Sequence, residues 1–283
     1  MIQHPIIFTD LDGTLLDHYT YSFEAALPVI AQLKVNDIPV VATTSKTVQE
    51  VINIYEAIGI NGPFIVENGA AVYLPKQLFN KQPQDTTEQP HFWVKSFSRS
   101  RETFINVVEQ LSNSFGEKFR SFYQMTSADI AEVTGLTVPQ AKLASQRQFG
   151  EPVLWLGTDK EKHQFVASAK ALGANVLLGG RFIHICDACD KGKALNWLAG
   201  EYQHLLKLPY VTAIALGDSG NDIAMLEAAD IAVQIKSPTH SFPRLDTDRT
   251  RFIFQTKGYG PVGWAESLNF ILNFPLLGGH SHG

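Results

Sequence analysis

Two carboxylates two residues apart, in Asp10-Leu11-Asp12-Gly13-Thr14, follow the short apolar run Pro5 to Thr9. Held together at the end of a buried strand, they would repel unless a cation or a proton compensated, so the placement invites a divalent metal with hard oxygen ligands. A second acidic group, Gly217-Asp218-Ser219-Gly220-Asn221-Asp222, follows the apolar run Val211 to Leu216. If the two runs are neighbouring parallel strands, Asp10, Asp12, Asp218 and Asp222 meet at the carboxyl edge of one sheet, where ligands bind in such folds. A cluster of this kind is poor as pure structure and good as a Mg2+ cage with room for water and a phosphate oxygen. Read alone, the first motif fits a capping and a turn aspartate equally well, and the second also admits a helix-capping loop.

Two further stretches have the right types to join them. Thr43-Thr44-Ser45-Lys46 follows the apolar Ile38 to Ala42 and places hydroxyls and backbone N–H groups at a helix start, a setting for a phosphate or for an ordinary Ser/Thr cap. In Asp190-Lys191-Gly192-Lys193, Lys191 precedes a helical pattern and could aim an ammonium into the same crevice; alone it reads as a solvated charge pair.

The elements that must carry these residues alternate in type. Pro5 to Thr9, Ile38 to Thr43 and Val211 to Leu216 are short and continuously apolar, as expected of parallel strands buried on both faces. The second is followed by Thr47-Val48-Gln49-Glu50, a capping-box spacing, then Val51, Ile52, Tyr55 and Ile58 on one helical face and Gly59 as a stop. Pro28 lies in a helical pattern beginning near Ser22, which kinks that helix or delays its start. Residues Lys76 to Gln89 have a linker composition rich in Gln, Pro, Thr and Asp. Beyond them, strand-like FWVKSF, PVLWLG and RFIHICD mix with helical RETFINVVEQLSNSF and DKEKHQFVASAKALG. The expectation is an α/β chain: a Rossmann-like parallel-sheet core from residues 1–82 and 188–274, an inserted α+β domain over 83–187, and a disordered tail at 275–283.

The 283 residues are 45% hydrophobic and 18% charged, which excludes a disordered or fibrous chain. A formal net charge of -5 provides no global field for nucleic acid or an anionic membrane, so an anionic ligand needs a local site. The N-terminus lacks a signal pattern and no apolar run suffices to span a bilayer, so a cytoplasmic address is expected. Cys186 and Cys189 have CxxC spacing without a second pair, so no zinc site is expected there. No G-x-G-x-x-G follows the first strand, which argues against a nicotinamide-binding dehydrogenase.

In the order strand-DxDGT, strand-TS, lysine, strand-GDSxND, the whole chain resembles the haloacid dehalogenase superfamily. The resemblance implies Asp10 as a nucleophile forming an aspartyl-phosphate, and Asp12 as general acid to the leaving alkoxide and then base for the hydrolytic water. It implies Thr44 as the phosphate-binding hydroxyl and Lys191 as the cation steadying nucleophile and phosphate. Asp10 and Asp218 would hold Mg2+ through side chains and Asp12 through its carbonyl, with Asp222 orienting the metal's waters and Asn221 nearby. An aspartate at position 12 suits phosphoryl transfer rather than dehalogenation.

The insertion between the second and third motifs resembles the type C2 cap of the Cof-like and sugar-phosphatase branch. Thr44 to Thr47 (TSKT, where many relatives read TGR), Glu67-Asn68-Gly69-Ala70, Arg147 to Pro152 (RQFGEP) and Gly180 to His184 (GRFIH) are together similar to mannosyl-3-phosphoglycerate phosphatases. That resemblance implies a small phosphorylated sugar-glycerate substrate, with Arg147 and Arg181 as forks for its carboxylate. Glu151, His184 and Asn68 would read hydroxyls, with Ser45 and Lys46 at the mouth of the crevice; each fits a structural or surface role equally. A Cof-like sugar phosphatase, a phosphomannomutase-like enzyme and a catalytically silent phospho-ligand sensor are the alternatives.

Overall fold

In the computed structural model, residues 2–178, 182–246 and 252–273 are described. They group into two compact units, the first drawn from Met1–Thr44, Ile54–Lys95 and Asp190–Gly283, the second from Ser45–Asn53 and Ser96–Cys189. The fold is mixed α/β, with one parallel and two antiparallel sheets.

The first unit is built on five parallel strands in the order Phe252–Tyr259, Ile231–Lys236, Thr212–Gly217, Pro5–Thr9 and Val40–Ala42. The apolar runs are buried as their composition demands: Ile6, Ile7 and Phe8 in one strand and Ile214, Ala215 and Leu216 in its neighbour reach at most 1% exposure. Register decides what emerges at the edge, because Thr9 pairs with both Leu216 and Ala42. The residues after all three strands therefore leave the sheet side by side.

Local chemistry sets the helix boundaries. The Thr47 and Glu50 capping box forms, with the Glu50 carboxylate accepting from the Thr47 N–H at 2.9 Å, and Val48–Ile58 follows until Gly59 turns left-handed at φ +77°. Pro28 sits at the first turn of Leu27–Val35, so that helix starts late rather than kinking.

An antiparallel sheet in the first unit orders Phe64–Val66, Ala71–Pro75, Phe92–Ser96 and Thr87–Glu88. The chain from 83 to Lys95, expected within the insertion, is thereby held in the first unit: Phe92–Ser96 is an inner strand of this sheet, and its ring Phe92 packs on Phe64 and Tyr73. The Gln- and Pro-rich run before it is a surface loop that ends in the edge strand Thr87–Glu88.

The second unit has its own antiparallel sheet, in the order Phe119–Ser121, Glu151–Trp155, Phe182–Cys186 and Asn175–Leu178. The helices Arg101–Phe115 and Asp159–Ala171 pack on it through Phe104, Val108 and Phe165, which meet Val153, Ile183 and Ile185. The helices Ser127–Thr134 and Val138–Ala144 each start from a threonine capping box, at Thr126 and Thr137. No helix among the described residues is long and apolar enough to cross a membrane. Arg181 and the tail 275–283 lie outside the described residues.

Candidate active site

Asp10, Asp218 and Asp222, far apart in sequence, bring carboxylate oxygens within 4.8 Å of one another at the carboxyl edge of the parallel sheet. All three are buried. Lys191, the first residue of helix Lys191–Leu206 and itself 1% exposed, donates to Asp10 Oδ1 at 2.6 Å and to Asp222 Oδ1 at 2.7 Å. Each of these side chains has a local reason for its place. The Asp10 N–H continues the ladder by donating to the Leu216 carbonyl at 2.9 Å. The Asp190 carboxylate caps the helix, accepting from the Lys193 N–H at 2.8 Å, which sets Lys191 at the buried first turn. Fully buried Trp264 donates to Thr9 Oγ1 at 3.0 Å, and that hydroxyl donates to the Asp10 carbonyl at 2.7 Å, so the strand end is fixed from helix Gly260–Leu272.

Two of the three buried carboxylates share one buried ammonium, with Asp218 beside them, and the electrostatics follow. Burial pushes the Asp10 carboxyl up to about 8, with Asp222 and Asp12 adding repulsion and Lys191 opposing it. Burial, then Asp222, also raises Asp218. Burial works against the Lys191 charge, but Asp10 and Asp222 outweigh it and hold the ammonium above its ordinary range. The excess of negative charge is what a divalent cation would neutralise, and the donors are oxygens only, the set that hard cations prefer. Gly13 keeps the space open: a Cβ there would lie 2.8 Å from Asp218 Oδ2, on a backbone already at φ +77°. The residues present fit a divalent metal.

Asp222 is also an organiser. Its Oδ2 accepts from the Asp218 and Ser219 N–H groups, both at 3.1 Å, which folds the loop after the strand. Thr14 donates to Asp218 Oδ1 at 3.5 Å. Thr44 is buried at the same edge, its N–H on the Ile65 carbonyl and its carbonyl accepting from the Asn68 N–H at 2.9 Å. Asn68 and Asn221, both singled out from the sequence, are brought together: Asn221 Nδ2 donates to Asn68 Oδ1 at 3.2 Å. Glu67, Asn68 and Gly69 all have positive φ, and a Cβ on Gly69 would lie 2.2 Å from the Asp190 carbonyl oxygen. That left-handed turn therefore packs directly on the start of the lysine-bearing helix.

The remaining expected residues belong to the second unit. Arg147 donates to the Ser45 carbonyl at 3.1 Å, and Lys46 lies 3.9 Å from Glu50. Burial, reinforced by the Arg147 charge, pushes His184 down to about 3, so it is neutral at ordinary pH. Glu151 requires a correction. Expected to read a hydroxyl, it is fully buried with both oxygens committed, Oε2 to Arg101 Nε at 2.6 Å and Oε1 to the Tyr123 N–H at 2.7 Å. Cys186 and Cys189 are free and buried, and burial pushes the Cys186 thiol up to about 12.

Sequence reasoning missed His240, whose Nε2 lies 3.0 Å from the Asp218 carbonyl oxygen. The available signal was positional: the apolar run IAVQI ends at the same sheet edge, and the polar SPTH follows it.

The model for haloacid dehalogenase-like hydrolases matches residues 7–242. A glucosyl-3-phosphoglycerate/mannosyl-3-phosphoglycerate phosphatase from Methanococcoides burtonii is 35% identical over 264 residues, 93% of this chain and 95% of that protein. Among solved structures, a phosphatase of the haloalkanoate (HAD) superfamily from Bacteroides thetaiotaomicron aligns over 96% of both chains with TM-score 0.65 and 19% identity. The sucrose-phosphatase of Synechocystis, solved with sucrose and phosphate, aligns over 95% of this chain and 98% of its own with TM-score 0.56 and 14% identity.

Proposed function

The chain belongs to the haloacid dehalogenase-like hydrolases and is a phosphatase; from that premise we propose that it is Mg2+-dependent, works through an aspartyl-phosphate on Asp10, and hydrolyses mannosyl-3-phosphoglycerate. The observation that carries this reading is the Lys191 ammonium 2.6 Å from Asp10 Oδ1 inside an excess of carboxylates.

In the first half-reaction an Asp10 carboxylate oxygen attacks phosphorus, and the ester P–O bond breaks as Asp12 gives its proton to the departing alkoxide. In the second, Asp12 takes a proton from water as the water attacks phosphorus, and the Asp10–phosphate bond breaks to release inorganic phosphate. A carboxylate approaching a phosphate dianion is opposed by charge, and Lys191 offsets that opposition from within hydrogen-bonding reach of the attacking group. Asp10, Asp218 and the Asp12 carbonyl would hold the Mg2+, which supplies Lewis-acid neutralisation of phosphate charge when bound. Asp222, with its oxygens on Lys191 and on the Asp218 and Ser219 N–H groups, positions rather than reacts. The Thr44 hydroxyl is the proposed phosphate donor.

The identity of the alkoxide half rests on the relative from Methanococcoides burtonii, whose name gives glucosyl- and mannosyl-3-phosphoglycerate. Asn68 and Asn221 beside the cluster, and Arg147 and neutral His184 in the second unit, are chemically suited to hydroxyls and a carboxylate. Phosphate release should be fastest with mannosyl-3-phosphoglycerate in a panel containing its glucosyl counterpart and simple sugar phosphates. Chelation should stop it and Mg2+ restore it. Free phosphate from none of these substrates, or an isomerised sugar phosphate in its place, refutes the assignment.

A further inference from the structure

His240 sits in the loop that leaves strand Ile231–Lys236, the direct neighbour of the strand ending at Asp218. Its ring has partners on both nitrogens. Nε2 faces the Asp218 backbone carbonyl at 3.0 Å and Asp218 Oδ2 at 3.5 Å. Nδ1 lies 2.9 Å from Thr239 Oγ1 and 3.2 Å from Ser237 Oγ. A carbonyl oxygen only accepts, so the proton belongs on Nε2, and in the neutral ring Nδ1 accepts from a hydroxyl. The Asp218 carbonyl thereby fixes the tautomer, and the Thr239 hydroxyl adapts to it by donating to Nδ1.

The described stretch of the loop holding the ring, residues 237–246, is tied down at several points. Gln234, buried in the strand below, donates through Nε2 to the Pro243 carbonyl and accepts from Gln255 Nε2 at 2.9 Å. The Lys236 N–H donates to Thr256 Oγ1 at 2.9 Å at the start of the loop, and the Asp246 N–H donates to Glu227 Oε1 at 2.8 Å ten residues on. A ring so anchored bears on the Asp218 peptide from one side. On the other, the Asp222 carboxylate accepts from the Asp218 N–H at 3.1 Å. Asp218 lies beyond the last paired residue of its strand, Gly217, so both backbone groups that set its direction are held by side chains and not by the sheet ladder.

We infer that His240 is a positioning residue for metal binding: from the loop after strand Ile231–Lys236 it clamps the Asp218 peptide and so aims the Asp218 carboxylate at the cation. The inference rests on the reading of Asp218 as a metal ligand. Outer groups that orient a ligating carboxylate set metal affinity by limiting the orientations the ligand must give up on binding.

Calorimetric titration of the purified protein with Mg2+ alone, and the spectrum of bound Mn2+, test the inference without turnover. His240→Phe keeps the ring's bulk and loses the donor; it should weaken Mg2+ binding about 10- to 100-fold, the usual cost of losing an outer-sphere partner. His240→Gln, which restores an N–H donor, should recover most of that loss, whereas a purely space-filling role would be served better by Phe than by Gln. Thermal unfolding in chelator identifies any variant that has lost its fold, and the Phe and Gln pair keeps the comparison among folded proteins. Wild-type Mg2+ affinity and an unchanged Mn2+ spectrum in His240→Phe overturn the inference. Asp218→Asn is the control for its premise: if that variant binds Mg2+ as wild type does, the metal site itself is misread. If it loses the metal while His240→Phe does not, only the role of His240 falls.

Discussion

The two units treat buried charge in opposite ways. In the first, Asp10 and Asp222 share a single ammonium and Asp218 is gathered beside them, so carboxylates outnumber the lysine that faces them. In the second, Glu151 is buried one to one against Arg101, with a backbone N–H completing its shell. Folding alone accounts for the second arrangement, because a paired and hydrogen-bonded carboxylate needs nothing further. It does not account for the first, since gathering repelling carboxylates costs stability unless a cation or reacting group joins them. Imbalance, rather than burial or polarity, separates the site from the scaffold.

The strongest way to break this contrast is to neutralise the attacking group. Asp10→Asn removes the nucleophile while keeping its shape, so phosphate release should fall to the level of the uncatalysed background with the fold retained. Retained turnover would leave the excess charge without a chemical purpose. Asp12→Asn should cost about 10²- to 10⁴-fold, the range of a lost general acid and base, and with an aryl phosphate, whose leaving group needs no proton, its phosphorylated form should accumulate because the hydrolytic step alone then loses its base. Steady-state kinetics with trapping of the aspartyl-phosphate in acid measures both.

The balanced pair in the second unit should respond in the other currency, that of stability. Glu151→Ala leaves Arg101 part-buried without its carboxylate and the Tyr123 N–H without its acceptor, a loss of about 3 to 5 kcal/mol. Hydrolysis of mannosyl-3-phosphoglycerate by the folded fraction should stay near wild type. Denaturant unfolding followed by assay under folding conditions separates the two effects. Lost turnover with unchanged stability would return Glu151 to the substrate-reading role expected from its sequence neighbourhood.

That expectation shows where sequence legibility stops. Continuous apolar runs ending in acidic motifs identified the parallel strands and the Asp10 and Asp218 convergence, because burial on both faces leaves an unmistakable composition and parallel register forces the ends together. The capping box at Thr47 was readable for the same reason, being a local pattern with a local cause. Glu151 was not, since a buried ion pair and a ligand-reading carboxylate look identical until Arg101, fifty positions away, is seen against it. Strand Phe92–Ser96 was legible as a strand but its sheet was not, because pairing with Ala71–Pro75 across a Gln- and Pro-rich loop is a tertiary fact. His240 lacked a motif of its own, its role depending on which neighbouring strand ends where.

The smallest effect sharpens the boundary between site and scaffold. The Asn221 amide donates to Asn68 Oδ1 at 3.2 Å, linking the left-handed turn to the acidic loop in the manner of a structural strut. Asn68 has φ +62°, where alanine is strained, so Asn68→Ala would lose both the amide and the backbone preference. Asn68→Gly tolerates that φ and loses only the amide, isolating the hydrogen bond at about 0.5 to 1.5 kcal/mol, or roughly two- to tenfold if all of it serves the transition state. A fall of that size in kcat/KM for mannosyl-3-phosphoglycerate, with unfolding unchanged, would place Asn68 with the imbalanced cluster. Unchanged kinetics with a matching loss of stability would place it with Glu151, as a balanced polar contact that the fold alone explains.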